Sequence, residues 1–473
     1  MQHHRKIFVS KNLWNKQNSS FSVTPGGALR GRPRVPGDKS ISHRAIILGA
    51  IAEGDTEIAG FLEGEDTLAT VAAFRDMGVG IETGGPGEVR IRGVGTTGLS
   101  APSGPLYLGN SGTSLRLLAG VLAGQRFASE LVGDASLSRR PMTRIAAPLG
   151  AMGAGITASA QGTPPVRIRG GDTLSGIDYE MPIPSAQVKS CLLLAGLFAK
   201  GETCVRERAP TRDHTERMLM GFGYPGFDDS GLDDRAHGIP EEEIWRKEIS
   251  NRICIAGGGR LRGTRVVVPG DISSAAFFLV GAAIAGGSEL VLENVGVNPM
   301  RTGVIRILRM MGADITLFNE TMAGAEPVAD IRVRAAPLRG VRIPAGMVSL
   351  AIDEFPALFI AAACAEGETT VTGAGELRGK ESDRIAVMAE GLQRLGVDAE
   401  STADGMIIRG GEVIGGRVAS HGDHRVAMAF AMAGLVSRGT IVIEDCANVD
   451  TSFPGFADTA AGVGLRIVSV FEE

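Results

Sequence analysis

Clusters of basic residues recur along this chain, each beside a turn that can open a helix. In the first cluster, residues 35–45, a Pro-Gly step breaks the backbone and an alanine-rich apolar run then continues as a predicted helix. An aspartate or serine in this stretch can cap the first turn. Lys39 and Arg44 therefore lie near a helix N-terminus, where unpaired N–H groups and cationic side chains converge. Such an arrangement favours the binding of phosphate or carboxylate groups.

Comparable groups of charged and small residues follow downstream. The small-residue turn at 108–116 can present bare backbone N–H groups to an anion. The densest group, residues 377–384, combines lysine, arginine and carboxylates, and Asp353 with Glu354 precedes an apolar helix. Cations held beside carboxylates suit a site that binds anions and moves protons. Further groups lie at residues 133–142, 184–190, 211–214 and 421–425.

Each group also has a simpler structural explanation. Residues 380–384 could be a helix start with ion pairs at i,i+3 and i,i+4 spacing, and Asp353 could complement a helix dipole. His421 and His424 are spaced like metal ligands, but no third His or Cys lies near them in the sequence, so packing or capping is favoured over zinc. The sequence contains no Walker A motif, no dinucleotide fingerprint and no G-x-S-x-G elbow.

Composition limits the classes of protein that fit. The 473 residues suffice for two or three domains, and the 44% apolar and 21% charged content is that of a globular protein. The net charge of −5 gives no overall attraction to nucleic acid or acidic membranes. No apolar run reaches the roughly 18 to 20 residues of a membrane span. The five cysteines are scattered and form no C-x-x-C pair, so we expect buried free thiols in a reducing cytoplasm.

One pattern of helices and strands recurs six times. An alanine-rich helix ends in glycine, a short strand and a charged loop follow, and an amphipathic helix then closes on a second glycine turn. Repeats that alternate helices and strands indicate an α/β or α+β fold built from six similar units. The second glycine turns are at residues 77–78, 152–153, 222–223, 311–312, 395–396 and 463–464.

The ends of these repeats suggest how the chain is divided. The polar residues 228–246 predict an exposed excursion between the third and fourth repeats, with the domain junction soon after, around residues 262–270. The first 37 residues contain no Asp or Glu but several Lys and Arg. We expect a disordered or flexible tail over residues 1–24, and a transit peptide is the alternative.

Taken together and in order, seven segments resemble the 3-phosphoshikimate 1-carboxyvinyltransferase (EPSP synthase) family: residues 36–44, 108–113, 133–142, 185–190, 353–356, 377–384 and 423–428. The resemblance implies two similar domains, each of three βαβαββ units with pseudo-threefold symmetry, in an inside-out α/β barrel. Because the chain of this family crosses twice between its domains, we expect a first domain at 38–266 and a second at 25–37 plus 267–473.

The resemblance also implies a reaction. The enolpyruvyl group of phosphoenolpyruvate would be transferred to the 5-hydroxyl of shikimate 3-phosphate, with release of phosphate, in the pathway to chorismate and aromatic amino acids. No metal and no organic cofactor are implied. We expect a cytoplasmic monomer whose partners are these two small molecules, with no nucleic acid and no membrane.

The matched motifs imply two sets of substrate contacts. Shikimate 3-phosphate is expected to bind Lys39, Ser40, Arg44, Ser185, Ala186, Gln187, Arg212, Asp353 and Lys380. Phosphoenolpyruvate is expected to bind Lys39, Asn110, Gly112, Arg140, Gln187, Arg384 and Arg425. Arginine suits this task because its planar fork meets carboxylate and phosphate groups with two parallel hydrogen bonds. The implied catalytic residues are Asp353, which accepts or orients the hydroxyl proton, Glu381, which handles protonation of the methylene carbon, and Lys39.

Two departures from the family pattern bear on the site. Thr451 stands where many relatives carry a lysine, so one cation toward phosphoenolpyruvate is missing or supplied elsewhere. The tyrosine that some relatives use on the acceptor is replaced near Thr211, and Arg212 is the expected substitute contact. Both departures resemble a bacterial subgroup whose members often tolerate glyphosate.

Two other functions fit parts of the sequence. A UDP-N-acetylglucosamine enolpyruvyl transferase shares the fold, but the cysteine of its mobile loop has no counterpart in residues 134–141. A non-catalytic anion-binding protein on the same fold gains nothing from carboxylates, so the joint presence of Asp353, Lys380 and Glu381 argues against it.

Overall fold

The computed structural model describes residues 19–225 and 252–471. Helices and short strands alternate along them. Up to residue 256 the elements are β1 (Ser19–Val23), β2 (Arg30–Gly31), α1 (Lys39–Ile51), β3 (Glu53–Ala59), α2 (Glu65–Asp76), β4 (Gly80–Thr83), β5 (Glu88–Val94), β6 (Leu106–Tyr107), α3 (Gly112–Ala123), β7 (Ser129–Val132), α4 (Thr143–Ala151), β8 (Ile156–Thr157), β9 (Val166–Ile168), β10 (Asp178–Glu180), α5 (Ala186–Gly196), β11 (Glu202–Arg206), α6 (His214–Gly221) and β12 (Arg252–Ala256).

The second half of the chain continues the alternation. Its elements are β13 (Arg265–Val267), α7 (Ile272–Ile284), β14 (Glu289–Gly296), α8 (Gly303–Met310), β15 (Asp314–Ala323), β16 (Glu326–Arg334), α9 (Ala345–Val348), α10 (Phe355–Ala363), β17 (Glu368–Val371), α11 (Arg384–Arg394), β18 (Asp398–Ser401), β19 (Met406–Arg409), β20 (Gly416–Ala419), α12 (His424–Ala433), β21 (Ile441–Glu444), α13 (Phe456–Gly462) and β22 (Ile467–Phe471).

Within the described residues the strands form six sheets, as many as the predicted repeats. Their strand orders are β13-β3-β5-β4, β6-β7-β9-β8, β10-β11-β12, β15-β16-β14-β2, β17-β19-β18 and β20-β21-β1-β22. Parallel and antiparallel pairs occur in the same sheet: β3 pairs with β13 in parallel and with β5 antiparallel. The predicted α/β fold of repeated units is confirmed.

The buried apolar side chains of the described residues form two hydrophobic cores. One lies within residues 41–268, and the other combines residues 21–35 with residues 272–467. Helices α1 and α3 in the first core, and α7 and α12 in the second, are buried on nearly all sides. Helices this apolar are stable only when enclosed by other elements. We keep 38–266 and 25–37 plus 267–473 as proposed domain boundaries.

The prediction of a flexible tail over residues 1–24 is wrong for residues 19–23. These residues form β1, which pairs antiparallel with both β21 and β22. Phe21 and Val23 alternate with more exposed neighbours and enter the second core. This period of two is that of a half-buried strand, and five residues are too few for the pattern to stand out beside a basic leader. Residues 1–18 lie outside the described residues.

The prediction of free thiols is wrong for Cys204 and Cys254, which form a disulfide. Because β11 and β12 pair antiparallel, these residues lie directly opposite each other although 50 positions separate them in the sequence. No local spacing could have indicated that pairing. Cys191, Cys364 and Cys446 are free.

The predicted excursion at residues 228–246 falls outside the described residues. Within the described residues, no helix combines the length and apolar character that crossing a membrane requires.

Candidate active site

A polar cleft lies where the two halves of the chain meet. It brings together most of the residues that the sequence pointed to, from both cores: Lys39, Ser40, Asn110, Gly112, Arg140, Gln187, Arg212, Asp353, Lys380, Glu381, Arg384 and Arg425. An adjoining recess, which we call the acceptor pocket, adds Ser185 and Ala186 beside Gln187, Arg212 and Lys380.

Arg44 is placed differently from the other predicted residues. It is buried behind the cleft wall rather than on it. Its guanidinium donates to the Ser40 carbonyl (2.9 Å), to Thr215 Oγ1 (2.7 Å) and to Ser190 Oγ (2.6 Å). Arg44 therefore supports the first turn of α1 in this structure.

Helix N-termini explain why these side chains converge. Helices α1, α3, α5, α11 and α12 all begin at the cleft or the acceptor pocket. Each has a cap whose side chain accepts a backbone N–H: Asp38, Ser111, Ser185, Asp383 and Asp423. Asp38 was among the predicted caps. The positive ends of several helix dipoles thus point at one place, which favours anions.

Asp353 lies among cations from both halves. Arg212 donates to its Oδ2, and Lys380 Nζ and Arg384 each come within 3.4 Å of its Oδ1. Arg425 donates to its backbone carbonyl (3.1 Å). Burial alone would raise the pKa of Asp353, but Lys380, Arg212 and the other cations together hold that pKa well below its usual range. The carboxylate is therefore ionised in this arrangement.

Glu381 has a similar environment, and Arg384 contacts both Asp353 and Glu381. Arg384 donates to Glu381 Oε2 at 2.6 Å, and Arg140 lies 3.4 Å from Glu381 Oε1. Burial opposes ionisation, yet Arg384 and Arg140 outweigh it and lower the pKa of Glu381 well below its usual range. The simpler helix-start explanation is also partly right, because Glu381 and Arg384 form an i,i+3 pair.

Asp66 is a cleft residue that the sequence did not reveal. Its carboxylate accepts from Lys39 Nζ at 2.8 Å. Burial raises the pKa of Asp66, against the pull of Lys39. In the sequence Asp66 looks like an ordinary acid in the first turn of α2, so only the fold shows its place.

Arg116, the last residue of the 108–116 segment, is a second cleft residue whose role the sequence did not indicate. It lines the cleft and donates to Gln187 Oε1 and to the Pro141 carbonyl. Burial, followed by the neighbouring Arg144 and Arg140, lowers the pKa of Arg116 to about 9. Thr451, at the missing lysine, does not line the cleft; its hydroxyl donates to the Asn448 carbonyl at 2.7 Å.

Known proteins give a consistent match. The family model for EPSP synthase (3-phosphoshikimate 1-carboxyvinyltransferase) matches residues 23–231 and 241–460. The chain is 64% identical over 453 residues to a 3-phosphoshikimate 1-carboxyvinyltransferase of Nitrosococcus oceani, covering 96% of this chain and 98% of the relative. A second such enzyme, of Alkalilimnicola ehrlichii, is 64% identical over 448 residues, 94% of this chain and 96% of the relative.

A solved structure matches the fold as closely. The EPSP synthase of Acinetobacter baumannii superposes with a TM-score of 0.82 at 56% identity, covering 96% of this chain and 100% of that one.

The two-core fold and its cationic cleft define a transferase acting on anionic substrates. More specifically, the chain belongs to the EPSP synthase family. Its reaction is transfer of the enolpyruvyl group of phosphoenolpyruvate to the 5-hydroxyl of shikimate 3-phosphate, with release of phosphate. The UDP-N-acetylglucosamine alternative is not favoured.

Proposed function

We propose that the cleft binds the two substrates side by side, with the residues assigned from the sequence. Shikimate 3-phosphate lies in the acceptor pocket, against Ser185, Ala186, Gln187, Arg212 and Lys380, and along Ser40 at the start of α1. Phosphoenolpyruvate lies beside it, against Lys39, Asn110, Gly112, Arg140, Gln187, Arg384 and Arg425. Arg44 supports the acceptor side from behind Ser40.

One observation carries this proposal: the cations of the cleft are paired with its own carboxylates. Arg212 contacts Asp353, Arg140 and Arg384 contact Glu381, and Lys39 contacts Asp66. Charged arginines and lysines already point at carboxylate oxygens, so a substrate carboxylate or phosphate can replace them with the same geometry. Such a set of cations suits two substrates that are both phosphorylated carboxylates.

Asp353 and Glu381 carry the proton transfers. The 5-hydroxyl oxygen bonds to C2 of phosphoenolpyruvate while its proton passes to Asp353, and Glu381 gives a proton to the C3 methylene carbon. The resulting tetrahedral adduct then expels phosphate, which leaves with the proton held by Asp353, and a C3 proton returns to Glu381 as the double bond re-forms. Substrate anions that pair with Arg140 and Arg384 offset the positive charge that these arginines present to Glu381. The pKa of Glu381 then rises, which prepares it to act as an acid.

The same chemistry sets the remaining expectations. Addition followed by elimination changes no oxidation state, so we propose that no organic cofactor takes part. A cytoplasmic location fits phosphorylated substrates, which do not cross membranes readily. We also propose a monomer, because the cleft takes all its described residues from one chain. Glyphosate, an anion somewhat longer than phosphoenolpyruvate, would compete for the site that Arg140, Arg384 and Arg425 form.

Two substitutions separate chemistry from binding. Glu381→Gln keeps the shape but removes the transferable proton, so kcat should fall by roughly 10²- to 10⁴-fold with little change in KM.

Arg425→Lys keeps the charge but loses the planar fork, so its effect should appear chiefly in KM for phosphoenolpyruvate. Steady-state phosphate release, measured with each substrate varied in turn, gives both parameters.

Circular dichroism on both variants controls for folding. Near-normal kcat in Glu381→Gln would show that Glu381 is a helix-start residue without a catalytic role. An Arg425→Lys variant with unchanged KM for phosphoenolpyruvate would remove Arg425 from the proposed site.

A further inference from the structure

A fully buried ion cluster lies beneath the acceptor pocket. Lys189 on α5 places its Nζ 3.0 Å from Oε2 of Glu207 and 2.6 Å from Oε1 of Glu216 on α6, and all three side chains are 0% exposed. We call these three residues the Lys189 cluster. Ions taken out of water are stable only in close, well-oriented pairs. The cluster therefore fixes the relative positions of α5, α6 and the end of β11.

The Lys189 cluster holds the residue that precedes Arg212. Lys189 Nζ donates to the Thr211 carbonyl at 3.5 Å, and the Thr211 hydroxyl donates to Glu207 Oε1. Thr211 is thus held through both its backbone and its side chain. The next residue, Arg212, extends into the cleft and contacts Asp353.

The neighbours of the Lys189 cluster hold Arg44. Ser190 follows Lys189 and Thr215 precedes Glu216, and the Thr215 hydroxyl donates to Ser190 Oγ at 2.7 Å. Both hydroxyls accept from the Arg44 guanidinium. Burial lowers the pKa of Arg44 to about 10, and Glu216 is the strongest of the charges that oppose this effect.

The Lys189 cluster therefore supports the acceptor pocket at two places. Ser185, Ala186 and Gln187 form the cap and first turn of α5, one turn before Lys189. Arg212 follows the held Thr211. Neither Lys189 nor Glu207 lines the cleft or the acceptor pocket.

We propose that Lys189 and Glu207 are positioning residues for shikimate 3-phosphate, which hold α5 and the Thr211 backbone so that Arg212 and the α5 N-terminus face the acceptor together. This role rests on the proposed place of Arg212 in the acceptor pocket. It predicts a loss chiefly for the acceptor substrate, because Gln187 is the one proposed phosphoenolpyruvate contact on α5, while the cations Arg140, Arg384 and Arg425 lie on other elements.

The test is the charge-conserving double variant Lys189→Met with Glu207→Gln. One positive and one negative charge are removed together, so the net charge of the cluster is unchanged, and Glu216 keeps Arg44 as its countercharge. An effect of altered net charge on the anionic ligand is thereby excluded. We expect the Kd for shikimate 3-phosphate, titrated calorimetrically without phosphoenolpyruvate, to weaken by about tenfold. KM for shikimate 3-phosphate should rise in parallel, while kcat and KM for phosphoenolpyruvate stay within about twofold.

A milder variant covers the case in which the double variant fails to fold. Thr211→Val is nearly isosteric, leaves every charge in place and removes only the hydroxyl that ties this loop to Glu207. It should weaken shikimate 3-phosphate binding by roughly three- to tenfold. The matched control is Asp213→Asn with Arg217→Met, which removes another buried ion pair of α6 without net charge change. This control should bind shikimate 3-phosphate within about twofold of the parent.

The outcomes distinguish the two levels of the proposal. Arg212→Gln is measured alongside, and an unchanged Kd in that variant would refute the site assignment itself. If Arg212→Gln binds shikimate 3-phosphate more weakly while Thr211→Val and the double variant bind it like the parent, only the positioning role is refuted. Equal losses in the double variant and the Asp213/Arg217 control would show that general loosening of α6 is responsible, which also overturns the proposal.

Discussion

Gly112 is the cleft residue at which a side chain would meet the binding arginines directly. A Cβ atom added there would lie 2.9 Å from one terminal nitrogen of Arg116 and 3.1 Å from one of Arg140. Both are far ends of flexible side chains, so an alanine can be accommodated once the guanidinium groups shift. Glycine is therefore favoured at position 112 by the placement of Arg116 and Arg140, and not by its backbone conformation, which is open to any residue.

We predict that Gly112→Ala raises KM for phosphoenolpyruvate by a few-fold and the inhibition constant of glyphosate by much more. The displaced Arg140 weakens both ligands, and the longer glyphosate also has less room beside the new methyl group. Inhibition kinetics with phosphoenolpyruvate varied at fixed glyphosate measure the two constants together. Equal losses for both ligands would contradict the crowding argument. No change in either constant would place Gly112 outside the pocket.

At the scale of elements, the sequence revealed the helix starts better than it revealed what lies between them. A cap followed by an apolar helix is a local signal, so the convergence of α1, α3, α5, α11 and α12 rests on features that are visible in the sequence. Pairings between distant segments have no such signal. The cluster at Lys189, the place of Asp66 and the Cys204–Cys254 bridge all depend on them.

Arg301 illustrates a distant pairing that joins two helix starts. It lies 2.9 Å from Asp38, the cap of α1, and 3.1 Å from Asp271, the cap of α7. Its side chain is 3% exposed, and it also donates to Ser273 Oγ at 2.8 Å. Burial by itself would raise the pKa of Asp38, but Arg301, His214, the Ile41 N–H and Arg212 together outweigh it, and the pKa is lowered. Helices from the two cores are thus tied to one buried cation.

We predict that Arg301→Met destabilises the protein by about 3 to 5 kcal/mol near neutrality, because Asp38 and Asp271 are left buried without their cation. The lowered pKa of Asp38 stabilises the parent above the ordinary value of 3.8, and this contribution is lost as the pH falls below it. Without Arg301, burial raises the pKa of Asp38 instead. The stability gap between parent and variant should therefore narrow from neutrality to about pH 4, as thermal unfolding at both pH values would show.

Arg90→Met is the control for this experiment. Arg90 pairs with Asp55 at 2.7 Å, but the two side chains are 58% and 41% exposed. An exposed pair of this kind contributes little to stability, because solvent screens its attraction. The role given to Arg301 would be contradicted if Arg301→Met lost no more stability relative to the parent than Arg90→Met does. It would also be contradicted if the loss for Arg301→Met did not become smaller in acid.

At the scale of the whole molecule, the cleft is bridged by ion pairs between its two walls. Arg212 contacts Asp353 and Arg140 lies 3.4 Å from Glu381, and in each pair the arginine comes from the first core's half and the carboxylate from the second. Arg144 and Glu376 face each other farther out at 3.8 Å. A substrate anion must displace a carboxylate from such a pair, and entry is easier when the walls are apart. We therefore infer that the described arrangement is the closed form of a cleft that also opens.

We predict that shikimate 3-phosphate shifts the molecule toward this closed form, because one ligand then contacts Arg212 on one wall and Lys380 on the other. Without substrate, the two walls present cations to each other and only their carboxylates offset the repulsion, so open molecules should be well populated. Small-angle scattering should show a smaller radius of gyration with saturating shikimate 3-phosphate and a further decrease with phosphoenolpyruvate or glyphosate added. Lys380→Met removes one of the two wall contacts and should reduce the compaction by shikimate 3-phosphate. A radius of gyration that saturating ligand leaves unchanged in the parent would mean that the walls do not move, and that substrates reach the arginines by side-chain rearrangement within a fixed cleft.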